Sequence, residues 1–326
     1  MPIPLGTLER MRSISDVVIR LEEPLAPYTR FGIGGPAAAL CDAATAGAFA
    51  ELLHLVCQQQ IPHVVIAGGT NLIVSDDGFD GAVLRFRGER VTVGGERINA
   101  EAGASLQAVV NASIAAGLQG MQTMTRIPGS LGAAVYGNAG AYGHSIQERV
   151  ERVVFTDGGQ ERMLDNAGCE FHYRESLFKR RKDWVVLTAE LSFEPGDRAE
   201  LQRAADEIQA IRDAKYPPAM RCAGSIFKNC LFNELPPEVQ AQIPPKLVRD
   251  GKVPSAYFLE QVGAKGMRRG DIQVAGYHAN LIYNDGAGTA EDLVSVIEDL
   301  KERVFDRFGF AVEEEVQYVG FERVAV

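Results

Sequence analysis

The sequence predicts an α+β protein of more than one domain, and three observations carry that prediction. A chain of 326 residues exceeds what one ordinary core serves. Its 46% hydrophobic and 23% charged residues supply material for packed cores and exclude collagen, long coiled coil and disorder. Helical and extended patterns follow one another in mixed order, with short strands separated by glycine and charge, which fits α+β rather than a doubly wound sheet.

Taken in order, residues 43–60 place Phe49, Leu52, Leu53 and Val56 at helical spacing, and an apolar strand at 63–67 ends in a glycine turn. From Gly81 to Gly103 the segments AVLRFRG, RVTVGG and RINAEAG read as antiparallel strands. A helix is expected at 105–117, a glycine-rich stretch at 118–143, strands at 150–155 and 184–193, and a turn at EPGD, 194–197. A helix over 198–215 is stopped by Tyr216, Pro217 and Pro218, which mark the main domain boundary. Leu293, Val296, Ile297, Leu300, Val304 and Phe308 form one apolar face of a helix at 290–308. A strand at 312–320 closes the reading.

Charge and punctuation exclude several classes. With 33 Lys and Arg against 43 Asp and Glu, the net charge of −10 argues against a general nucleic-acid binder or an anionic membrane surface. The opening MPIPLGTLERMRSISDVV has neither the pattern of a signal peptide nor that of a transit peptide. No apolar run approaches the ~18 residues of a membrane span, so a cytoplasmic location is expected. Cys41, Cys57, Cys169, Cys222 and Cys230 are odd in number and scattered, as reduced thiols are. The five histidines are as dispersed, and no metal site is expected.

Four clusters carry chemistry. Gly32-Ile33-Gly34-Gly35-Pro36-Ala37 matches a dinucleotide fingerprint in letters, but Pro24, Pro27 and Arg30 interrupt the strand that should precede it, which leaves a turn. Gly68-Gly69-Thr70-Asn71-Leu72 after a buried strand, and Ile127-Pro128-Gly129-Ser130-Leu131-Gly132 leading into Asn138-Ala139-Gly140-Ala141-Tyr142-Gly143, are two long small-residue loops. Their amides can converge on a pyrophosphate; the plainer alternative is a pair of surface turns. In Tyr173-Arg174-Glu175-Ser176-Leu177-Phe178-Lys179, Arg174 is a candidate for bidentate anion binding. Ala223-Gly224-Ser225-Ile226-Phe227-Lys228-Asn229 is not a nucleophile elbow, and a hydrolase reading is weak.

In the order GGTNLIVSDDGFDG, IPGSLGAAVYGNAGAYG, YRESLFK, AGSIFKN and VEEEVQYVG, these motifs resemble the UDP-N-acetylenolpyruvoylglucosamine reductases (MurB family) over about residues 28–320. The resemblance implies an FAD-binding portion of the vanillyl-alcohol-oxidase (PCMH) type, residues 1–200, in two lobes of about 20–75 and 76–200. A C-terminal α+β substrate-binding domain at 201–326 follows, its terminal strand 312–320 returning Glu315 to the active site. It also implies an FAD-dependent UDP-N-acetylmuramate dehydrogenase of cell-wall precursor synthesis, with FAD as cofactor, NADPH as reductant, UDP-N-acetylglucosamine enolpyruvate as substrate, and a monomeric enzyme.

Hydride addition to the terminal carbon of an enolpyruvyl group leaves charge on the carboxylate and a neighbouring carbon that needs a proton. By resemblance Ser225 donates that proton, Arg174 stabilises the carboxylate and Glu315 assists. Strand alternation would place Glu313 and Glu315 on one face and Glu314 on the other. The loops Gly68–Leu72 and Gly129–Gly143, with Ile127 and Pro128, match FAD-holding positions. Tyr173, Lys215, Lys228, Asn229 and His278 match positions near the substrate. AGGT stands where the family commonly has GGGS, and Arg126 precedes IPG, where it either reaches a phosphate or lies at the surface. One branch of the family carries a tyrosine-bearing insertion after YRxSxFK; no tyrosine lies between Lys179 and Tyr216, which resembles the other branch. Two alternatives stay open on the residues: a flavin oxidase or dehydrogenase of the same fold acting on an alcohol or sugar, and a non-catalytic binder.

Overall fold

The computed structural model describes residues 3–321. Their contacts divide into two compact units. The first takes the described residues up to Glu23, with Ala37–Gly68 and Asp80–Pro217; the second takes Pro24–Pro36, Gly69–Phe79 and the chain from Pro218 onward.

In the first unit, a four-stranded sheet has the order Val17–Pro24, Pro36–Ala43, Phe79–Phe86, His63–Val65. The helix Ala46–Gln58 forms because Thr45 accepts the Ala48 amide at 3.2 Å, an N-cap that satisfies an otherwise orphaned donor. It buries Phe49, Leu52, Leu53 and Val56, the stripe that periodicity predicts. A second sheet has the order Glu161–Asp165, Val150–Thr156, Val185–Ser192, Arg97–Glu101, Val91–Gly94, and all its pairings are antiparallel.

Two sequence expectations change here. Phe79–Phe86 pairs with His63–Val65 in parallel and lies in the first sheet, so it does not join the strands that follow it. Both sheets also feed a single hydrophobic cluster, in which Leu52, Leu84 and Phe86 share a core with Ile98, Phe155 and Leu191. Two strands of about the same composition differ only in their partners, which local pattern does not encode.

The helix Arg198–Lys215 opens on Asp197, whose Oδ1 accepts the Glu200 amide at 2.9 Å. It buries Leu201 and Ala205 in the first unit's core. The compact boundary therefore falls after Pro217, at the expected helix stop and not at residue 200.

The second unit is built around the helix Ala290–Phe308. Thr289 caps it by accepting the Asp292 amide at 3.1 Å, and Gly309 in the left-handed region (φ 72°) ends it. All six residues of its predicted face are buried. Phe31, Ile33 and Ile73 join Ile226, Phe258 and Leu293 in this unit's core, which is why two N-terminal segments belong to it. The Asp76 carboxylate adds a tertiary cap, accepting the amides of Ala290 at 3.0 Å and Glu291 at 3.2 Å. Within 312–320 only Gln317–Val319 is a strand, and it pairs in parallel with Leu72–Val74. Residues 312–316 are held instead by an isolated bridge between Phe227 and Glu314. The fingerprint-like Gly32–Ala37 is a turn and the start of a strand: Gly34 has φ 143° and a Cβ there would lie 2.9 Å from Val74 Cβ, so glycine serves a close approach.

Candidate active site

The first unit gathers two of the predicted motifs. The backbone of His172 and Glu175 closes a tight turn by reciprocal bonds of 3.0 and 3.1 Å, with Arg174 inside it at φ 56°. A non-glycine residue held there costs free energy that its surroundings must supply. Those surroundings are three bonds to the end of the short helix Leu131–Tyr136 and the chain that follows it. Ser176 Oγ donates to the Tyr136 carbonyl at 2.7 Å, Asn138 Nδ2 donates to the His172 carbonyl at 2.7 Å, and Arg174 Nη2 donates to the Gly140 carbonyl at 3.0 Å. Lys179 Nζ donates to the Arg174 carbonyl at 2.8 Å. Phe178, fully buried, lies edge-on to Phe155 with ring centroids 5.5 Å apart and anchors the turn in the core. The Arg174 guanidinium carbon lies 5.6 Å from the Tyr173 ring centroid, within cation–π range.

The glycine-rich stretch is itself shaped by specific bonds. Ser130 caps Leu131–Tyr136, accepting the Ala133 amide at 3.3 Å. Gly140-Ala141 pairs with His144-Ser145 across a two-residue turn, Tyr142 and Gly143, both at positive φ, the geometry that hairpin twist favours. The amides of Ile127, Gly132, Asn138 and Ala139 donate to the carbonyls of Met124, Ala102, Val135 and Ala134. These four residues therefore shape the loop, while the amides of Gly129 and Ser130 have no backbone acceptor among the described residues. Arg126 is bound to Asp213, its Nε and Nη2 donating to one carboxylate oxygen at 2.9 and 2.6 Å, the surface alternative of the two expected. Lys215 ends its helix, where carbonyls favour a cation, with Nζ 5.0 Å from the Tyr216 ring centroid.

The second unit gathers three motifs. The Glu315 amide donates to the Ile226 carbonyl at 2.7 Å, and its own carbonyl accepts from Asn71 Nδ2 at 2.8 Å. The Lys228 amide donates to the Glu313 carbonyl at 2.9 Å. Ser225 sits in an antiparallel bridge with Leu281. GGTNL, AGSIFKN and VEEEV are thus one backbone assembly. Two of its acids part company: Glu314 accepts from Lys301 Nζ at 3.0 Å, while the Glu313 side chain, 71% exposed, pairs with Lys228. The amides of Gly69, Thr70 and Asn71 have no acceptor among the described residues. A Cβ on Gly69 would lie 1.7 Å from the Tyr28 carbonyl oxygen, so that loop requires glycine at φ 59°. His278 Nδ1 accepts the Asn280 amide at 3.2 Å, which puts the neutral ring's proton on Nε2. Asn229 is exposed.

Runs of unpaired amides next to glycine are what a pyrophosphate needs, so the loops fit FAD. Ser176 and Asn280 were not singled out from sequence; a lone Ser or Asn offers no signal until its distant partner is known.

The chain matches the family model described as FAD binding domain over residues 37–161, and the one described as UDP-N-acetylenolpyruvoylglucosamine reductase, C-terminal domain, over residues 216–319. It is 54% identical to the UDP-N-acetylenolpyruvoylglucosamine reductase of Solibacter usitatus, across 95% of this chain and 100% of that one. It is 33% identical to that of Syntrophus aciditrophicus, across 96% and 95%. Among solved structures, the reductase (MurB) of Thermus caldophilus matches with a TM-score of 0.72 at 27% identity, covering 93% of this chain and 98% of that one. With identity at this level over nearly the full length of both chains, the protein belongs to the UDP-N-acetylenolpyruvoylglucosamine reductase family.

Proposed function

We propose that the chain is an NADPH-dependent flavoenzyme that reduces UDP-N-acetylglucosamine enolpyruvate to UDP-N-acetylmuramate in peptidoglycan precursor synthesis. The observation that supports it most is that Ser225 and Glu315, remote in sequence, lie in one backbone assembly, the Glu315 amide bonded to the residue next to Ser225. FAD would be held by Gly68–Leu72, by Ile127–Gly132 and by Asn138–Gly143; when bound and reduced it supplies hydride to the terminal carbon of the enolpyruvyl group.

The chain's own groups do the rest. Arg174 stabilises the negative charge that the carboxylate gains, as a preorganised cation does best when its turn is fixed beforehand. Ser225 gives its proton to the adjacent carbon, with Glu315 assisting and taking part in restoring the hydroxyl. One carbon gains hydride, its neighbour gains a proton, and the double bond becomes single. Tyr173, Lys215, Asn229 and the Nε2–H of His278 hold the nucleotide sugar. Lys228 does so in competition with Glu313, which already pairs with it.

The substrate and NADPH are both cytosolic metabolites, which supports a cytoplasmic enzyme, and no helix among the described residues is long and apolar enough to cross a membrane. We take the working species to be the monomer, which sedimentation at micromolar concentration checks. Purified protein should show flavin absorbance that NADPH bleaches and the enolpyruvyl substrate restores. Ser225→Ala should leave flavin reduction intact and slow reoxidation by orders of magnitude; equal losses in both half-reactions would make Ser225 structural.

A further inference from the structure

We infer that Asn280 is a positioning residue for the Ser225 hydroxyl; the inference rests on Ser225 as proton donor. Asn280 is 3% exposed. Its Oδ1 accepts the Phe227 amide at 2.8 Å. Its Nδ2 donates to the Phe227 carbonyl at 2.8 Å and to Ser255 Oγ at 2.7 Å. Its main-chain carbonyl accepts the Ile226 amide at 3.1 Å. One carboxamide thus reads both backbone groups of Phe227, as a neighbouring strand would, and uses both of its donors.

The two residues so held follow Ser225 directly. The next residue after Asn280, Leu281, is the bridge partner of Ser225, and the Ile226 carbonyl accepts the Glu315 amide. Asn280 therefore fixes the peptide from which both acid–base side chains are hung. Its neighbours in the core, Phe227, Ala279 and Ile282, are apolar and buried, so a residue serving only to fill space there would be apolar too. A polar one is required because the Phe227 N–H would otherwise be buried without a bond, and its C=O would keep only the 3.4 Å bond from Ser255 Oγ. A hydroxyl is a weak acid, and its proton transfers only from close, aligned geometry; a displacement of about 1 Å costs on the order of 100-fold in rate.

The test uses flavin-loaded full-length protein and rapid mixing, with Ser225→Ala, Asn280→Ala, Asn280→Ser and the Ser225→Ala/Asn280→Ala double variant. Asn280→Ala should reduce with NADPH at the wild-type rate and reoxidise with substrate about 10- to 100-fold more slowly. Asn280→Ser, which keeps one hydroxyl able to bond Phe227, should recover part of that loss. The double variant should be no slower than Ser225→Ala alone, because Asn280 acts through Ser225. Independently of turnover, amide exchange in the peptide containing Ile226 and Phe227 should rise at least tenfold in Asn280→Ala. Equal slowing of both half-reactions, unchanged reoxidation, or losses that multiply in the double variant would overturn the inference. So would failure of both Asn280 variants to fold and retain flavin, which would make the residue part of the core. Normal reoxidation by Ser225→Ala removes the premise, and that result is read without any Asn280 variant.

Discussion

Replacing Ser176 by Ala tests how the Arg174 turn is held. The hydroxyl has two jobs in a fully buried position: it donates to the Tyr136 carbonyl at 2.7 Å and accepts the Lys179 amide at 3.3 Å. Tyr136 is the last residue of its helix, where carbonyls lie beyond the intrahelical ladder. Loss of the cap costs about 1 kcal/mol, and loss of the hydrogen bond to Tyr136 roughly 1 kcal/mol more, or about 2 kcal/mol together. For a unit of ~200 residues that lowers Tm by roughly 4–8 °C, at about 2–4 °C per kcal/mol. The assay is thermal unfolding of the first unit followed by flavin release, with reoxidation measured on the same sample. The bonds from Asn138 and Arg174 itself remain, so the rate should fall about tenfold, less than the 100-fold of a full ~1 Å displacement. A Tm within 1 °C of wild type (a bound set by the same ~2–4 °C per kcal/mol) would refute the assignment of these two bonds as the anchor.

Asp76→Ala should destabilise the second unit by about 2 kcal/mol in urea unfolding, since it removes a charge-assisted cap on two amides of the helix Ala290–Phe308; no change in midpoint would mean that Thr289 alone suffices. Burial opposes ionisation of Asp42, but hydrogen bonds from Arg85 and Arg20 outweigh it and hold the carboxyl below its ordinary range. That contribution is complete above the unfolded carboxylate pKa of about 4 and is lost as pH falls through the lower, folded value. Wild-type Tm should accordingly drop more steeply below about pH 4 than that of Asp42→Asn; parallel curves would count against the pair. Burial pushes the thiols of Cys41, Cys169 and Cys230 up to about 12, and Cys57 is the exposed one. One thiol should react rapidly with a disulfide reagent at pH 8 and the rest only on unfolding; rapid reaction of three or more would contradict the burial.

Much was legible in the sequence. The helices at 198–215 and 290–308 were read to the residue, because the proline stop after the first and the 3.6-residue apolar stripe of the second are local signals. The five motifs in order indicated the family, and Ser225, Arg174 and Glu315 follow from it as candidates. Local signals also explain the errors. Phe79–Phe86 looks like the strands after it, and nothing within eight residues says that its partner is His63–Val65 in parallel. The strand expected at 312–320 shrank to Gln317–Val319 because its neighbour, Leu72–Val74, is only that long.

By itself the sequence determined the main helices and the residue types that the chemistry needs, since these depend on signals within a few positions. Only the tertiary structure decided which core each segment joins. Pro24–Pro36 and Gly69–Phe79 contribute Phe31, Ile33 and Ile73 to a cluster built mainly from residues beyond 225, and hydrophobic burial is non-directional, so an apolar residue carries no address. The same holds for polar groups. Asn280 bonds Phe227 across 53 positions, and Asn71 bonds Glu315 across 244; a carboxamide shows what it can bond, and the folded chain alone supplies its partner.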